Sequence, residues 1–333
     1  MKQNLHTHTN ICDGQNFISE IIESAICLDM DVLGFSGHSF TYFDKSYCMS
    51  EEGTLEYIST VTGAREMFKK DPELATKLFA PGMKYHKPLR IFLGIEQDLY
   101  SDQPALRREK GLLNPGQKDG IYDYIIGSTH AFRLNWDELK DHIGSLKDFQ
   151  EPDFNGVETS DDGIYLYVDY GLEPMNWAIE NIFHGDALEF ADWYYRDEGR
   201  IVEETDCDIV GHFDLLTKFN EQKMLFDENS PRYIVSRNRA LEQIFESFRA
   251  KGREPIFEIN TGAMAKGYRT SPYPSADTLK LIRDMGAKLV INSDCHKKEC
   301  LLFGYEEAKK FALSHGFKED RLDTPYGEIE IYV

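Results

Sequence analysis

The 333-residue sequence predicts an α/β fold in which parallel strands alternate with helices, as a βα barrel or a doubly wound sheet. Three observations carry that prediction. Apolar, β-branched runs of strand length recur along the whole chain, and they are continuous rather than alternating, as strands covered on both faces require. Apolar stripes at helical spacing fill the intervals between them. No repeat, low-complexity tract or Ser/Gly-rich linker divides the chain, so residues 1–333 are read as one domain.

The elements follow in order. A first strand is expected at 4–8, then a helix whose stripe is Ile18, Ile21, Ile22, Ala25 and Ile26, then a second strand at 32–37. Residues 41–89 are longer than a βα loop needs and contain a polar helical segment and the Pro81-Gly82 turn. Strands at 90–95 and 124–128 come next. A second long interval, 131–206, is acidic and aromatic, with Trp177, Trp193, Tyr194 and Tyr195. In a barrel, insertions like these two form walls or lids over the strand C-terminal face, where loops carry function. After a strand at 208–211, Leu241, Ile244, Phe245 and Phe248 mark a helix closed by Gly252. A strand at 255–260 precedes a helix capped by Ser275, carrying Leu279 and Ile282 and stopped at Gly286. The seventh strand is 288–292, and a last helix at about 306–314 ends before His315-Gly316.

Each of the seven strands ends in a residue able to bind a metal or polarise a substrate. The first delivers His6 and His8, with Asp13 just after; the second delivers His38. The third ends at Glu96, the fourth at His130 and the fifth at His212. The sixth carries Glu258 and Asn260, and the seventh runs into Asp294 and His296. Side chains i and i+2 share one face of a strand, so the two imidazoles of His6-Thr7-His8 reach one ion, and Asp294-Cys295-His296 repeats the spacing. Six histidines and three carboxylates exceed what one ion takes, so more than one divalent ion is expected. Imidazole suits Zn, Fe and other transition metals, and carboxylates also accept Mn.

Composition bounds the rest. The chain has 37 Lys+Arg against 58 Asp+Glu, a formal charge of −21, which disfavours a grip on nucleic acid or an anionic membrane. Its apolar runs are too short to span a bilayer, and the first residues lack the apolar core of a signal peptide, so a cytoplasmic location is expected. The six cysteines (12, 27, 48, 207, 295 and 300) show no CxxC spacing, and most of them are read as buried small hydrophobes. His184 sits in the second insertion and is a candidate to face the pocket, whereas His86, His142 and His315 are read as solvated or capping residues.

The order HxH, Asp, His, Glu, His, His, Asp-x-His resembles the polymerase and histidinol phosphatase (PHP) family. The motifs are His6-Thr7-His8-Thr9, Gly37-His38-Ser39, Gly94-Ile95-Glu96, Gly127-Ser128-Thr129-His130, Gly211-His212-Phe213-Asp214 and Ser293-Asp294-Cys295-His296. Gly-His-Phe-Asp-Leu at 211–215 most resembles the stand-alone histidinol-phosphatase branch. The resemblance implies a distorted (β/α)7 barrel with two or three divalent ions (Zn, Mn or Fe). One ion would take His6, His8, Glu96 and Asp294. A second would share Glu96 and add His130 and His212, and a third would take Asp13, His38 and His296. Many relatives have histidine where Asp13 stands, and the carboxylate favours a harder ion.

The implied reaction is phosphomonoester hydrolysis, with Asp294, His296, Glu96 and His212 as catalytic ligands and L-histidinol phosphate as the leading substrate. Lys218, Arg269 and Arg133 follow strand ends and are candidates to hold phosphate, Lys218 first. A small phosphate ester is the expected partner, with no nucleic acid, no membrane, and a monomer or homodimer. The rival readings are a phosphoesterase for another small phosphate or for nucleotides and nucleic-acid ends, a non-catalytic metal-binding module, and an amidohydrolase-like metal barrel.

Overall fold

A computed structural model describes residues 1–333 apart from Gln103, residues 112–115 and Asp148; at Gln222 and Lys223 it describes the backbone alone. In chain order the strands are β1 (Gln3–Asn4), β2 (Val32–Phe35), β3 (Arg90–Asp98), β4 (Tyr124–Ser128), β5 (Ala131–Leu134), β6 (Val157–Ser160), β7 (Gly163–Tyr167), β8 (Ile209–Val210), β9 (Ile256–Asn260), β10 (Lys288–Asn292), β11 (Glu319–Leu322) and β12 (Ile329–Tyr332). The strands β1, β2, β3, β4, β8, β9 and β10 lie side by side in that order, every neighbouring pair parallel. These are the seven strands expected from the apolar runs.

The sheet curls until its ends meet, which decides between the two architectures left open by sequence pattern. Just beyond β1 and β10, His8 N–H donates to the Cys295 carbonyl at 2.9 Å and Cys295 N–H to the His6 carbonyl at 3.0 Å. Below that bridge, side chains replace the backbone ladder: Leu5 N–H donates to Asn292 Oδ1 at 2.7 Å and Ser293 N–H to Asn4 Oδ1 at 3.0 Å. This substitution explains why β1 is only two residues long although the apolar run extends to His8.

The C-terminal strand β12 pairs antiparallel with β10 and with β11, an addition the sequence reading did not anticipate. Its Ile329 and Ile331 join Leu5, Val32, Phe92, Tyr124, Ile126, Ile209, Ile256 and Val290 in a buried core inside the barrel. That core has a physical basis in the period-2 alternation of strands: Phe92, Ile126, Ile256 and Val290 point inward, while Leu93, Ile125, Phe257 and Leu289 face the helices. Tyr124 crosses the interior, donating to the carbonyls of Leu5 and Phe35. Gly94 leaves it room, because a Cβ there would lie 2.2 Å from the Tyr124 ring.

The helices sheathing the barrel include Ile18–Cys27, Pro231–Ala250, Ala276–Asp284 and Tyr305–Ser314, close to the expected stripes. The first insertion supplies the helices Glu51–Lys70 and Pro72–Phe79, the longer one capped by the Ser50 hydroxyl and packed on β3. The second insertion is built on a separate antiparallel sheet in the order β5-β7-β6, with helices Trp136–Ile143, Leu172–Asn181, Ala187–Glu198 and Ile201–Thr205. Among the described residues, no helix is long and apolar enough to cross a membrane.

Candidate metal centre

The inward register of the strands continues past the apolar core to the barrel's C-terminal rim. On β3, Phe92, Gly94, Glu96 and Asp98 succeed one another at period 2, as do Ile256, Glu258 and Asn260 on β9. Glu96 is 1% exposed and sits at the centre of the cluster. Its Oε2 lies 3.2 Å from His6 Nε2, 3.4 Å from His8 Nε2 and 3.1 Å from His38 Nδ1. Its Oε1 lies 3.1 Å from His212 Nε2 and 3.5 Å from His130 Nε2, and accepts a hydrogen bond from the Ser128 hydroxyl at 2.6 Å.

The remaining ligand candidates close around these. Asp294 Oδ1 is 3.2 Å from His8 Nε2 and 3.4 Å from His296 Nδ1. Asp13 Oδ2 is 3.0 Å from His296 Nε2, and its Oδ1 is 3.7 Å from His38 Nε2. All nine sequence-derived candidates therefore converge. Their grouping differs from the one implied by family resemblance. Ligand atoms within 4.8 Å of one another form the sets His6–His8–Asp294, His6–Glu96–His212, His8–Asp13–His38–His296 and His38–Asp98–His130. Asp98 was missed, although its spacing from Glu96 repeats the i, i+2 signal of His6 and His8.

The backbone is adapted to this cluster. Asp294 adopts a left-handed conformation, with φ of 48°, a state sparsely populated by residues other than glycine. Gly262 packs against it so closely that a Cβ there would sit 2.9 Å from both Cβ and Oδ2 of Asp294.

Electrostatics follow from the mixture of buried acids and imidazoles. Burial opposes charge on His6, yet Glu258, Glu96 and Asp294 together raise it well above its usual value. Burial likewise opposes ionisation of Glu96 and Asp294, but the surrounding histidines hold both carboxyls well below the usual range. His296 is the exception: burial and the neighbouring His8 push it down.

The residues fit divalent cations, by a test independent of spacing. His6 Nε2, His8 Nε2, His38 Nδ1, Glu96 Oε2 and Asp98 Oδ2 are buried without a hydrogen-bond partner. An unsatisfied buried polar atom costs about 1–3 kcal/mol, so five facing a common centre form an unstable arrangement unless a cation satisfies them. The outer nitrogens are already oriented: His6 Nδ1 is 2.7 Å from Glu258 Oε1, and His130 Nδ1 is 2.6 Å from Asp98 Oδ1. Carboxylate–histidine pairs of this kind fix ring tautomer and direction at metal sites.

A cavity of about 240 Å³ opens on the cluster, lined by Asp13, His38, His130, His212, Asp294 and His296. The insertions add to the lining, with Ser46 and Tyr47 from the first and Tyr167, Asp169 and Tyr170 from the second. Lys218, Lys266 and Tyr273 complete the polar lining. Of the three basic candidates only Lys218 lines the cavity. Arg133 is turned away to Asp162 and the Tyr100 ring. Arg269 is held by Thr217 and Ser271 over the Tyr273 ring, behind the cavity wall. Lys266 was not anticipated; it follows the short helix Gly262–Ala265, where no motif marks it. His184 does not reach the cavity, and its Nε2 is 2.9 Å from the His142 carbonyl.

Comparison with known proteins agrees with this fold. Residues 4–262 match the family model described as the PHP domain. A probable histidinol-phosphatase of Schizosaccharomyces pombe is 26% identical over 249 residues, spanning 74% of this chain and 66% of that protein. Among solved structures, a putative histidinol phosphatase from Listeria monocytogenes superposes with a TM-score of 0.59 at 17% identity, covering 92% of this chain and 99% of that one. Histidinol phosphate phosphatase from Lactococcus lactis subsp. lactis Il1403, solved with zinc, L-histidinol and phosphate, gives 0.55 at 14% identity over 98% of both chains.

Proposed function

The chain belongs to the PHP family, and on that premise we propose that it is a divalent-metal-dependent phosphomonoesterase whose substrate is L-histidinol phosphate. The observation that carries the reading is the convergence of buried, unpartnered His6 Nε2, His8 Nε2, His38 Nδ1 and Glu96 Oε2 beneath a small cavity that also holds lysines. The resemblance to histidinol phosphatases of yeast and bacteria supports the substrate.

In this reading two or three ions (Zn, Mn or Fe) are held by His6, His8, Asp13, His38, Glu96, His130, His212, Asp294 and His296, with Asp98 beside them. When bound, such ions polarise phosphate oxygens and lower the pKa of water towards about 7, supplying the nucleophile and neutralising developing charge. Asp294, His296, Glu96 and His212 hold their ligand atoms beside the reacting phosphoryl group. Lys266 and Lys218 bind the phosphate oxygens that face the cavity, as cations preorganised for charge that spreads in the transition state. Tyr47, Tyr167 and Tyr273 exclude bulk water and offer aromatic faces to the imidazole and ammonium of the leaving alcohol.

The test is steady-state phosphate release from L-histidinol phosphate against a panel of sugar, nucleotide and amino-alcohol phosphates. Zn-, Mn- and Fe-loaded protein would be compared, with Asp294→Asn as control. A kcat/KM for histidinol phosphate far above the panel and lost in the control is expected. Equal, sluggish rates across the panel would remove histidinol phosphate as the substrate.

A further inference from the structure

In the lining of the same cavity, Lys218 Nζ lies 3.2 Å from Asp169 Oδ2 and 2.8 Å from the Asp169 carbonyl oxygen. The two residues come from different parts of the fold. Asp169 follows β7 of the insertion sheet, and Lys218 ends the short turn Leu215–Thr217 after β8. The side chains are only 10% and 21% exposed. Taking both charges out of water costs most of what their attraction returns, so such a pair contributes little net stability. Asp169 also engages Lys218 through one carboxylate oxygen only; its Oδ1 has no hydrogen-bond partner among the described residues.

We propose that Asp169 and Lys218 exchange partners when substrate binds: the Lys218 ammonium turns to the phosphate, and an ammonium group of the substrate takes its place on Asp169. The inference rests on the phosphomonoesterase reading and names the substrate class that this cavity selects, an aminoalkyl phosphate monoester. A zwitterionic ligand leaves no buried charge unpaired, because one internal ion pair is replaced by two ion pairs to the ligand. A phosphate ester lacking the amine draws Lys218 away and strands a buried carboxylate, which is strongly unfavourable. Discrimination therefore lies in the penalty imposed on the amine-free ester as much as in attraction of the correct one. The aromatic rings of Tyr47, Tyr167 and Tyr170 in the same lining are suited to an ammonium group approaching Asp169.

The experiment compares L-histidinol phosphate with its deamino analogue, 3-(imidazol-4-yl)propyl phosphate, on zinc-loaded protein, and adds calorimetric titration with L-histidinol. In the wild type the amine is expected to raise kcat/KM about 10- to 100-fold, and Asp169→Asn to bring the ratio of the two esters close to one. Lys218→Met is expected to weaken both esters yet tighten L-histidinol, since its ammonium no longer competes with Lys218 for Asp169. A merely structural ion pair would give no such change of sign. Equal kcat/KM for the two esters in the wild type, or an unaltered ratio in Asp169→Asn, overturns the proposal. Should neither ester be hydrolysed, the phosphatase reading fails by itself. L-histidinol titration into Lys218→Met then still decides the exchange: tighter binding supports it, and unchanged or weaker binding sinks it.

Discussion

The Asp98 carboxylate lies 2.6 Å from Nδ1 of His130, and this places the other ring nitrogen, Nε2, 3.5 Å from Glu96. Burial works against ionisation of Asp98, but His130 and His38 hold its carboxyl below the usual value. It is therefore an acceptor, and His130 donates from Nδ1, leaving Nε2 free to bind a cation.

Removing that orienting group should loosen the metal centre. For Asp98→Ala we expect metal affinity to fall about 10- to 100-fold, with Asp98→Asn intermediate. Competition with a chromophoric zinc chelator measures it, and an affinity within twofold of wild type would exclude the role.

Glu258 performs the parallel task for His6 and adds two bonds, accepting from the His212 backbone N–H and the Asn260 side chain, each at 3.0 Å. Its replacement by alanine leaves several buried donors unsatisfied, at about 1–3 kcal/mol apiece. Glu258→Ala should therefore lower the stability of the metal-free protein as well as metal affinity. Denaturant titration with and without zinc separates the two effects; a loss seen only in the zinc-loaded form would contradict the structural part.

Gly262→Ala adds a Cβ where only the Asp294 side chain now fits. Displacing a group at the reacting centre by about 1 Å can cost on the order of 10²-fold. A tenfold or larger fall in kcat is expected with secondary structure intact by circular dichroism. Wild-type turnover in this variant would show that Asp294 has more room than its packing implies.

Lys266 lines the cavity and has no ion pair among the described residues. Replacement by methionine should raise KM for phosphate esters about tenfold, the effect of losing one charge-assisted contact, without changing bound metal per chain. An unaltered KM would place the lysine outside the phosphate subsite.

The metal-free and metal-loaded proteins should respond differently to pH. Burial tends to lower His130, but Asp98 and Glu96 outweigh it and raise the group to about 10, above an unfolded value of about 6.5. Its protonation stabilises the metal-free fold fully below about pH 6.5, and that contribution is lost as pH rises through about 10. Ions require the neutral ring and compete with the proton. The gain in Tm on adding zinc should therefore grow between about pH 6 and pH 9; a constant or shrinking gain would refute the competition.

The convergence of the nine candidate positions on one rim was legible because two periodicities act locally. Continuous apolar runs mark strands of a parallel sheet, and the first polar residues after each run emerge at the same rim. Asp98 escaped because the run at 90–95 ends before the strand does: β3 continues to Asp98 once β4 lies alongside to pair with it. The hairpin of β11 and β12 escaped for a related reason, since its short alternating run acquires meaning only beside β10.

Sequence by itself determined the α/β class, the seven strand runs and the set of polar residues at their ends, all of which depend on neighbours within a few residues, whereas the order of the strands in the sheet did not follow from it. Closure of the barrel through Thr7 and Cys295, and the identity of the residues lining the cavity, were decided only by tertiary structure. Arg133 and Lys266 show why. Both are long cations a few residues beyond a barrel strand, β4 and β9 respectively, yet one pairs with Asp162 of its own insertion and the other lines the cavity. The direction of a flexible side chain is set by the partner the fold brings near it, and residues 131 to 206 bring Asp162 to Arg133 and Asp169 to Lys218.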